Sequence, residues 1–360
     1  MDRRRAAARL LVLGFDGLSL PAESRRLLEM GASGVVLFRR NVESAEQVAS
    51  LVREIRAAAA GPVLVSVDQE GGRVARLRGI ATDLPPMRAV VREDDARAVG
   101  KLLAVELGAL GFDLDLAPVV DVDTNPENPV IGDRAFATEA ADVARLARAF
   151  IEGIQAAGLG GSAKHFPGHG DTVTDSHHAL PRLSHPLERL RDVELVPFRA
   201  AVEAGVASVM TAHVVLEAVD KSLPATMSRR VLSLLRGELG YDGLVMSDDL
   251  EMAAIADGFE MQEAGRWAVH AGCDQLLVCH LAERQHHVIE GIETALGSGK
   301  LEETRVLEAH RHVDAVIARF DPERARPAPG EVLRIDPHLA LAERLARAYG
   351  PTGADPTGDR

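Results

Sequence analysis

The 360-residue chain is 46% hydrophobic and 26% charged, the balance of a globular protein, which excludes a disordered or fibrous one. Its 41 Lys and Arg against 54 Asp and Glu give a formal net charge of −13, which disfavours nucleic-acid or anionic-membrane partners because both need a basic face. No stretch approaches the roughly 20 apolar residues of a membrane span.

At the N-terminus, Arg3, Arg4 and Arg5 precede an apolar run from Ala6 to Phe15, in the manner of a secretory leader. Arg9 interrupts that run, and Gly14-Phe15-Asp16-Gly17 lacks the small residues of a cleavage site. A first β-strand and a cytoplasmic location are therefore expected. Short β-branched runs predict strands over residues 10–15, 34–38, 63–67, 112–116, 161–165, 207–213, 243–247 and 275–279. Between them, Ser44-Ala45-Glu46-Gln47 opens a helix with a capping-box pattern that runs to Ala60 and is closed by Gly61-Pro62. A periodic, Ala-rich run from Thr138 to Ala157 ends at Gly158, and Ser228 precedes a shorter helical run from Val231 to Leu235. Helices over 281–296 and 301–320 complete the set. Cys273 and Cys279 bracket the last strand and are expected to be buried thiols, since two cysteines make no disulfide framework.

Eight buried strands, each followed by a helix or long loop, predict an α/β fold: a (β/α)8 TIM-type barrel in a single domain over residues 1–321. The competing doubly wound sheet needs a Gly-rich phosphate turn after strand one, which Gly14-Phe15-Asp16-Gly17 is not. Residues 322–360 are expected to form a linker (322–329), a short amphipathic helix (337–348) and a disordered tail (350–360). In such a barrel, chemistry sits on the loops at the C-terminal strand ends. Those ends carry Asp68, then Asp121 and Asp123 before a loop with Asn125, Asn128, Asp133 and Arg134, then Lys164-His165, His213 and Asp248-Asp249. Any one of these is equally well explained as a solvated residue. Their shared location is the signal.

Five of the 13 histidines fall between His165 and His185. The crowding suggests a metal, but Pro167 and Gly168 separate His165 from His169, so no helix presents both on one face. The His-x-His that a zinc amidohydrolase carries after strand one is also missing, and no metal is expected. Asp175-Ser176-His177 suits a different chemistry. Residues i and i+2 of an extended segment project to the same side. Asp175 can then accept a hydrogen bond from one His177 nitrogen, fix the tautomer and raise the pKa from its reference near ~6.5. A histidine so poised can protonate a leaving group and later deprotonate water. A loop-ordering turn explains the spacing equally well. Asp248 is the natural partner, because a rigid strand-end carboxylate opposite a proton donor is the arrangement of a retaining glycosidase. Asp249 is expected in structural hydrogen bonds on the other side of the strand end, although spacing alone does not choose between the two. Trp267 reads as helix packing, and His286, His287, His310 and His312 as solvated positions on outer helices.

Three motifs occur in order along the chain: Val67-Asp68-Gln69-Glu70-Gly71-Gly72-Arg73-Val74, then Lys164-His165-Phe166-Pro167-Gly168-His169-Gly170-Asp171-Thr172 followed by Asp175-Ser176-His177, then Met246-Ser247-Asp248-Asp249-Leu250-Glu251-Met252. Together the motifs resemble the bacterial β-N-acetylglucosaminidases of glycoside hydrolase family 3, in the single-domain form that acts in peptidoglycan recycling. The resemblance runs from Gly14 to about Cys279. It implies a retaining, exo-acting hydrolase with Asp248 as nucleophile and His177, assisted by Asp175, as general acid/base. It also implies sugar-binding roles for Asp68, Arg76, Arg134, Lys164 and His165. The implied partner is a small glycan, either GlcNAc-anhydroMurNAc peptides or chitooligosaccharides, handled by a cytoplasmic monomer without cofactor, metal, nucleic acid or membrane. Three alternatives stay open. One is transfer to phosphate, since imidazole does not repel an incoming anion as a carboxylate does. The second is a substrate-assisted path using the Asp248-Asp249 pair, and the third a catalytically silent sugar-binding barrel. Aromatic residues are only 3% of the chain, too few for the stacking platforms of a polysaccharide groove, which fits a pocket gripping one terminal sugar.

Overall fold

The computed structural model of the protein describes residues 2–173, 180–321 and 323–349. Eight strands form one parallel sheet: β1 (Leu11–Leu13), β2 (Gly34–Leu37), β3 (Leu64–Val67), β4 (Leu114–Asp115), β5 (Gly160–Phe166), β6 (Ser208–Thr211), β7 (Leu244–Met246) and β8 (Leu276–Val278). The order is β7-β6-β5-β4-β3-β2-β1-β8. A parallel bridge between Met246 and Gln275 then brings β7 to β8, with the Ser247 N–H donating to the Gln275 carbonyl at 2.9 Å. The result is the expected (β/α)8 barrel. Seven strands are shorter than their apolar runs and β5 is longer. β4 shows why. Asp113, just before it, turns its carboxylate to the Val65 N–H and to Arg56, while Pro118, just after it, has no N–H to give.

Strand side chains alternate between two cores. Val12, Val36, Leu64, Leu114, Leu244 and Leu277 fill the barrel interior. Leu11, Leu13, Val35, Leu37, Val65 and Val67 face outward into a second core. Helices α1 (Ala22–Met30), α2 (Ala45–Ala58), α3 (Glu93–Leu110), α4 (Ala140–Ala156), α5 (Leu195–Glu203), α6 (Arg229–Ser233), α7 (Met261–Ala271) and α8 (Ala282–Ser298) cover that outer core. The predicted caps form. Ser44 Oγ accepts from the Gln47 N–H at 3.2 Å, although the Gln47 side chain returns to the Glu43 N–H and not to Ser44. Ser228 Oγ accepts from the Val231 N–H at 3.3 Å, and Gly158, past the end of α4, takes φ +89°.

Helix α9 (Glu303–Phe320) plugs the end of the barrel opposite the strand C-termini, inserting Val313, Val316 and Phe320 into the interior core. That placement corrects the reading of His312 as solvated. It is 4% exposed, and its Nδ1 lies 2.9 Å from the buried Asp274 carboxylate, which also receives Arg236 at 2.6 Å. His286, His287 and His310 are half-buried, with His286 held by Glu23 at 2.7 Å. Trp267 packs with Met227, Ile255 and Ala264, as expected of a helix-face residue. Both cysteines are buried free thiols. Among the described residues, no helix is long and apolar enough to cross a membrane.

The C-terminal helix α10 (Asp336–Tyr349) lies against α3, with Ala342 and Leu345 buried. Arg344 spans the Asp95 carboxylate at 2.6 and 3.0 Å, and His338 Nδ1 sits 2.8 Å from Glu106. The buried Glu106 carboxylate also accepts from the Thr82 N–H and hydroxyl, both at 2.7 Å, and from the Arg334 N–H at 2.8 Å. Glu106→Ala strands these donors and is expected to destabilise the protein by about 3 kcal/mol, read as a lower urea midpoint.

Candidate active site

The strand C-termini converge on a cavity of about 450 Å³, the size of a small-molecule site. Asp68 directly follows β3, and Glu70 sits in a tight hairpin of Gln69–Gly71 with Val74–Ala75, just before Arg76. Arg134 ends a short 3-10 turn, Gly132–Arg134, in the long loop between β4 and α4. Lys164 and His165 come from the C-terminal half of β5, and Asp248 follows β7. All of these line the one cavity. His177 and Asp175 lie outside the described residues.

Lys164 Nζ is 2.6 Å from both Asp68 Oδ1 and Glu70 Oε1. Arg134 grips Glu70 with a two-pronged contact, Nε to Oε2 at 2.9 Å and Nη2 to Oε1 at 2.8 Å. Arg76 stands 3.8 Å from Asp68 Oδ2. Arg76, Lys164, Arg134 and Glu70 are each no more than 4% exposed. Burial alone would raise the Glu70 carboxyl, but Arg134 and Lys164 outweigh it and hold Glu70 far below the usual carboxylate range. Burial likewise works against the Lys164 ammonium, yet Asp68 and Glu70 raise it above its ordinary value. Glu70 and Lys164 are thus ionised near neutral pH.

A second cluster orients the histidines. Asp121, 1% exposed, accepts from His165 Nδ1 at 2.7 Å and from the His169 N–H at 2.7 Å. This contact fixes the His165 ring and leaves its Nε2 edge for the cavity. Burial would raise the Asp121 carboxyl, but its contact and hydrogen bond with His165 prevail and lower it. His169 has its Nδ1 2.6 Å from the Thr172 hydroxyl, and burial together with His165 pushes its pKa down to about 4. It is neutral at pH 7. Gly170 is required here, because a Cβ would lie 1.9 Å from the Val122 carbonyl. Asn128 ties the two loops, donating to the His169 and Thr172 carbonyls at 2.8 and 3.0 Å.

Asp248 leaves a strand end that Ser247 locks in place, through its N–H to Gln275 and its hydroxyl oxygen accepting from the Leu277 N–H at 3.0 Å. Asp248 Oδ1 accepts the Asp249 N–H at 2.8 Å. Asp249 makes the expected structural hydrogen bonds, its Oδ1 accepting from the Glu251 and Cys279 N–H groups at 3.1 and 3.3 Å, but it lines the same cavity as Asp248, and its Oδ2 lies 3.3 Å from His280. His213 is wholly buried and bonds Thr226 and the Asp249 carbonyl, both at 2.8 Å, and Asp123 pairs with Arg88 at 2.7 Å. Neither lines the cavity. Phe38 supplies an aromatic wall, with the Arg40 guanidinium 4.3 Å from its ring centre. Among the described residues, no group of three or more His, Cys, Asp or Glu is arranged to hold a metal ion.

Sequence reasoning missed Glu70 as the hub of the charge cluster and gave Asp121 no role. Each was visible only as a charge near a strand end, and the partners of Glu70 are 64 and 94 residues away in sequence.

A parallel barrel with a cup of charged hydrogen-bonding groups and a strand-end carboxylate at its mouth has the layout of a barrel enzyme that takes a small polar substrate. Residues 17–316 match the glycosyl hydrolase family 3 N terminal domain. The chain belongs to that family and is a glycoside hydrolase. It is 43% identical over 284 residues to a β-hexosaminidase of Alkalilimnicola ehrlichii (strain ATCC BAA-1101 / DSM 17681 / MLHE-1), spanning 76% of this chain and 81% of that one. A family 3 β-N-acetylglucosaminidase from Paenibacillus sp. str. FPU-7 superposes with a TM-score of 0.93 at 40% identity, over 97% of this chain and 69% of that one. NagZ from Neisseria gonorrhoeae, solved with N-trifluoroacetyl-D-glucosamine, gives 0.78 at 34% identity, over 94% and 98% of the two chains.

Proposed function

We propose that the protein is a retaining exo-β-N-acetylglucosaminidase that removes non-reducing terminal GlcNAc from peptidoglycan-derived muropeptides. In this reading the Asp248 carboxylate attacks the anomeric carbon while His177, oriented by Asp175, protonates the departing glycosidic oxygen. A glycosyl-enzyme ester on Asp248 results. His177, now neutral, takes a proton from water, whose oxygen attacks the same carbon and frees Asp248. Asp68, Arg76, Arg134, Lys164 and His165 hold the sugar hydroxyls, so that sugars lacking those hydroxyls leave buried groups unpaired. The observation that carries the proposal is the strand-end Asp248 carboxylate lining the same cavity as this charge cluster. The names of the relatives support the N-acetylglucosaminide class. The cavity cations Arg76, Arg134 and Lys164 offset the net charge of −13 for an acidic substrate. The same reading has a cytoplasmic monomer working without cofactor, with the catalytic barrel over residues 1–321.

The test is to incubate the protein with GlcNAc-anhydroMurNAc peptide or a chitooligosaccharide, with and without phosphate, and identify the products. Free GlcNAc in both conditions is expected; GlcNAc 1-phosphate would make it a phosphorylase, and no turnover would leave a silent barrel. For His177→Ala, the loss on natural glycosides is expected to exceed that on activated aryl glycosides by about 100-fold, because only the former need a proton. Equal losses would remove the acid role.

A further inference from the structure

The guanidinium of Arg134 is carried on a loop, which by default is the mobile part of a barrel, whereas a binding constellation works only within about 0.5 Å of its productive geometry. Two arginines outside the cavity hold that loop by its backbone. Arg88 donates from Nη2 to the Gly132 carbonyl at 3.1 Å and from Nε to the Ala135 carbonyl at 3.2 Å, and its Nη2 also meets Asp123 at 2.7 Å. Gly132 and Ala135 bracket the turn that ends in Arg134, and Gly132 takes φ +46°. Arg73 reaches the same stretch from the other side, donating to the Val130 and Ile131 carbonyls at 3.0 and 2.8 Å and pairing with Asp133 at 3.1 Å.

Arg88 is itself held from behind. It lies on a short 3-10 turn, Met87–Ala89, in the loop between β3 and α3, and helix α10 packs against that turn. Helix α10 is fastened to α3 through Arg344 on Asp95 and His338 on Glu106, with Leu345 buried beneath. The contacts form one chain, from α10 to the Met87–Ala89 turn, through Arg88 to the carbonyls on either side of Arg134, and so to the cavity.

We infer that Arg88 is a positioning residue for Arg134 and that the C-terminal helix α10, far along the chain from every cavity residue, is a working part of the sugar site. The inference rests on the sugar-binding role proposed for Arg134. Arg88 touches no cavity surface, so its effect passes through the position of the Arg134 guanidinium. A shift of about 1 Å in a binding group costs up to 100-fold.

The test is a double-mutant cycle on the full chain with an aryl β-N-acetylglucosaminide. Arg88→Ala is expected to raise KM about 10-fold or more, and Arg88→Lys, which keeps one donor, to recover part of the loss. In an Arg134→Ala background, Arg88→Ala is expected to add less than about twofold, because its route to the substrate is already gone. Leu345→Ala, which loosens α10, is expected to raise KM in the same sense, with melting curves confirming a folded protein. An unchanged KM in Arg88→Ala overturns the inference. So does full additivity with Arg134→Ala, or a fall in kcat at constant KM that tracks the folded fraction. Wild-type turnover tests the proposed function separately. If the wild type hydrolyses nothing, the same cycle is read from the affinity for N-acetylglucosamine, and absence of binding overturns both.

Discussion

Asp248→Asn is expected to lower kcat on N-acetylglucosaminides by about 10⁴-fold or more while the protein keeps its melting temperature, because removing a nucleophile costs on that order. The structural grounds are local. Asp248 leaves a strand end fixed by two Ser247 hydrogen bonds, and among the hydrogen bonds its carboxylate makes is one from the next backbone N–H. A carboxylate held that way loses little freedom on reaching an anomeric carbon. Asp249→Asn is the control. Its carboxylate serves the Glu251 and Cys279 N–H groups and His280, so in the proposed mechanism the change disturbs the loop and costs activity far less than Asp248→Asn does. A 5-fluoro glycoside should leave a covalent adduct on the peptide that contains Asp248, found by mass spectrometry. Absence of the adduct, with tight inhibition by a thiazoline analogue, would instead favour the substrate-assisted path, in which the 2-acetamido oxygen does the attacking.

Glu70→Gln is expected to cost about 3–5 kcal/mol of stability at neutral pH and most of the activity. The change keeps the shape and removes the charge that faces Arg134 and Lys164, leaving Lys164 with Asp68 and Arg134 without the carboxylate it grips. The sign with pH follows from the lowered pKa of Glu70. Its ionised form stabilises the folded state fully above the unfolded value near 4.5, and that contribution is lost as pH falls toward the folded value. The stability gap between wild type and Glu70→Gln in urea titrations is therefore expected to be full at pH 7 and to shrink below about pH 4. A gap that stays constant from neutral to acid pH would show that Glu70 acts through shape alone.

Several features of the fold and site are readable from local pattern. Runs such as Val35 to Leu37 are apolar on both sides because a parallel barrel buries both faces of its strands. Ser44 and Ser228 announce helix starts because a short hydroxyl side chain satisfies an orphan N–H two or three residues on. Asp68, Lys164, His165 and Asp248 stand out because barrel strands deliver their C-terminal ends to one mouth. The roles of Glu70, Asp121 and Arg88 are not readable in this way. A carboxylate in sequence looks the same whether it meets water or two cations, and the distinction is made by chain segments 44 to 94 residues distant. His312 departs from its solvated expectation for the related reason that the 3.6-residue period gives the apolar face of a helix but not what packs around it.

By itself, then, the sequence determined the barrel, its strand order of residues, the family and the short list of positions at the mouth, because each depends on near-neighbour pattern or on motif. The tertiary structure decided which of those charges are buried together, and that a C-terminal helix braces the loop of a cavity arginine. Burial and pairing are properties of distant segments brought within a few ångströms, and the energies of ionised groups depend on those distances and on exclusion of water, neither of which is written in local order.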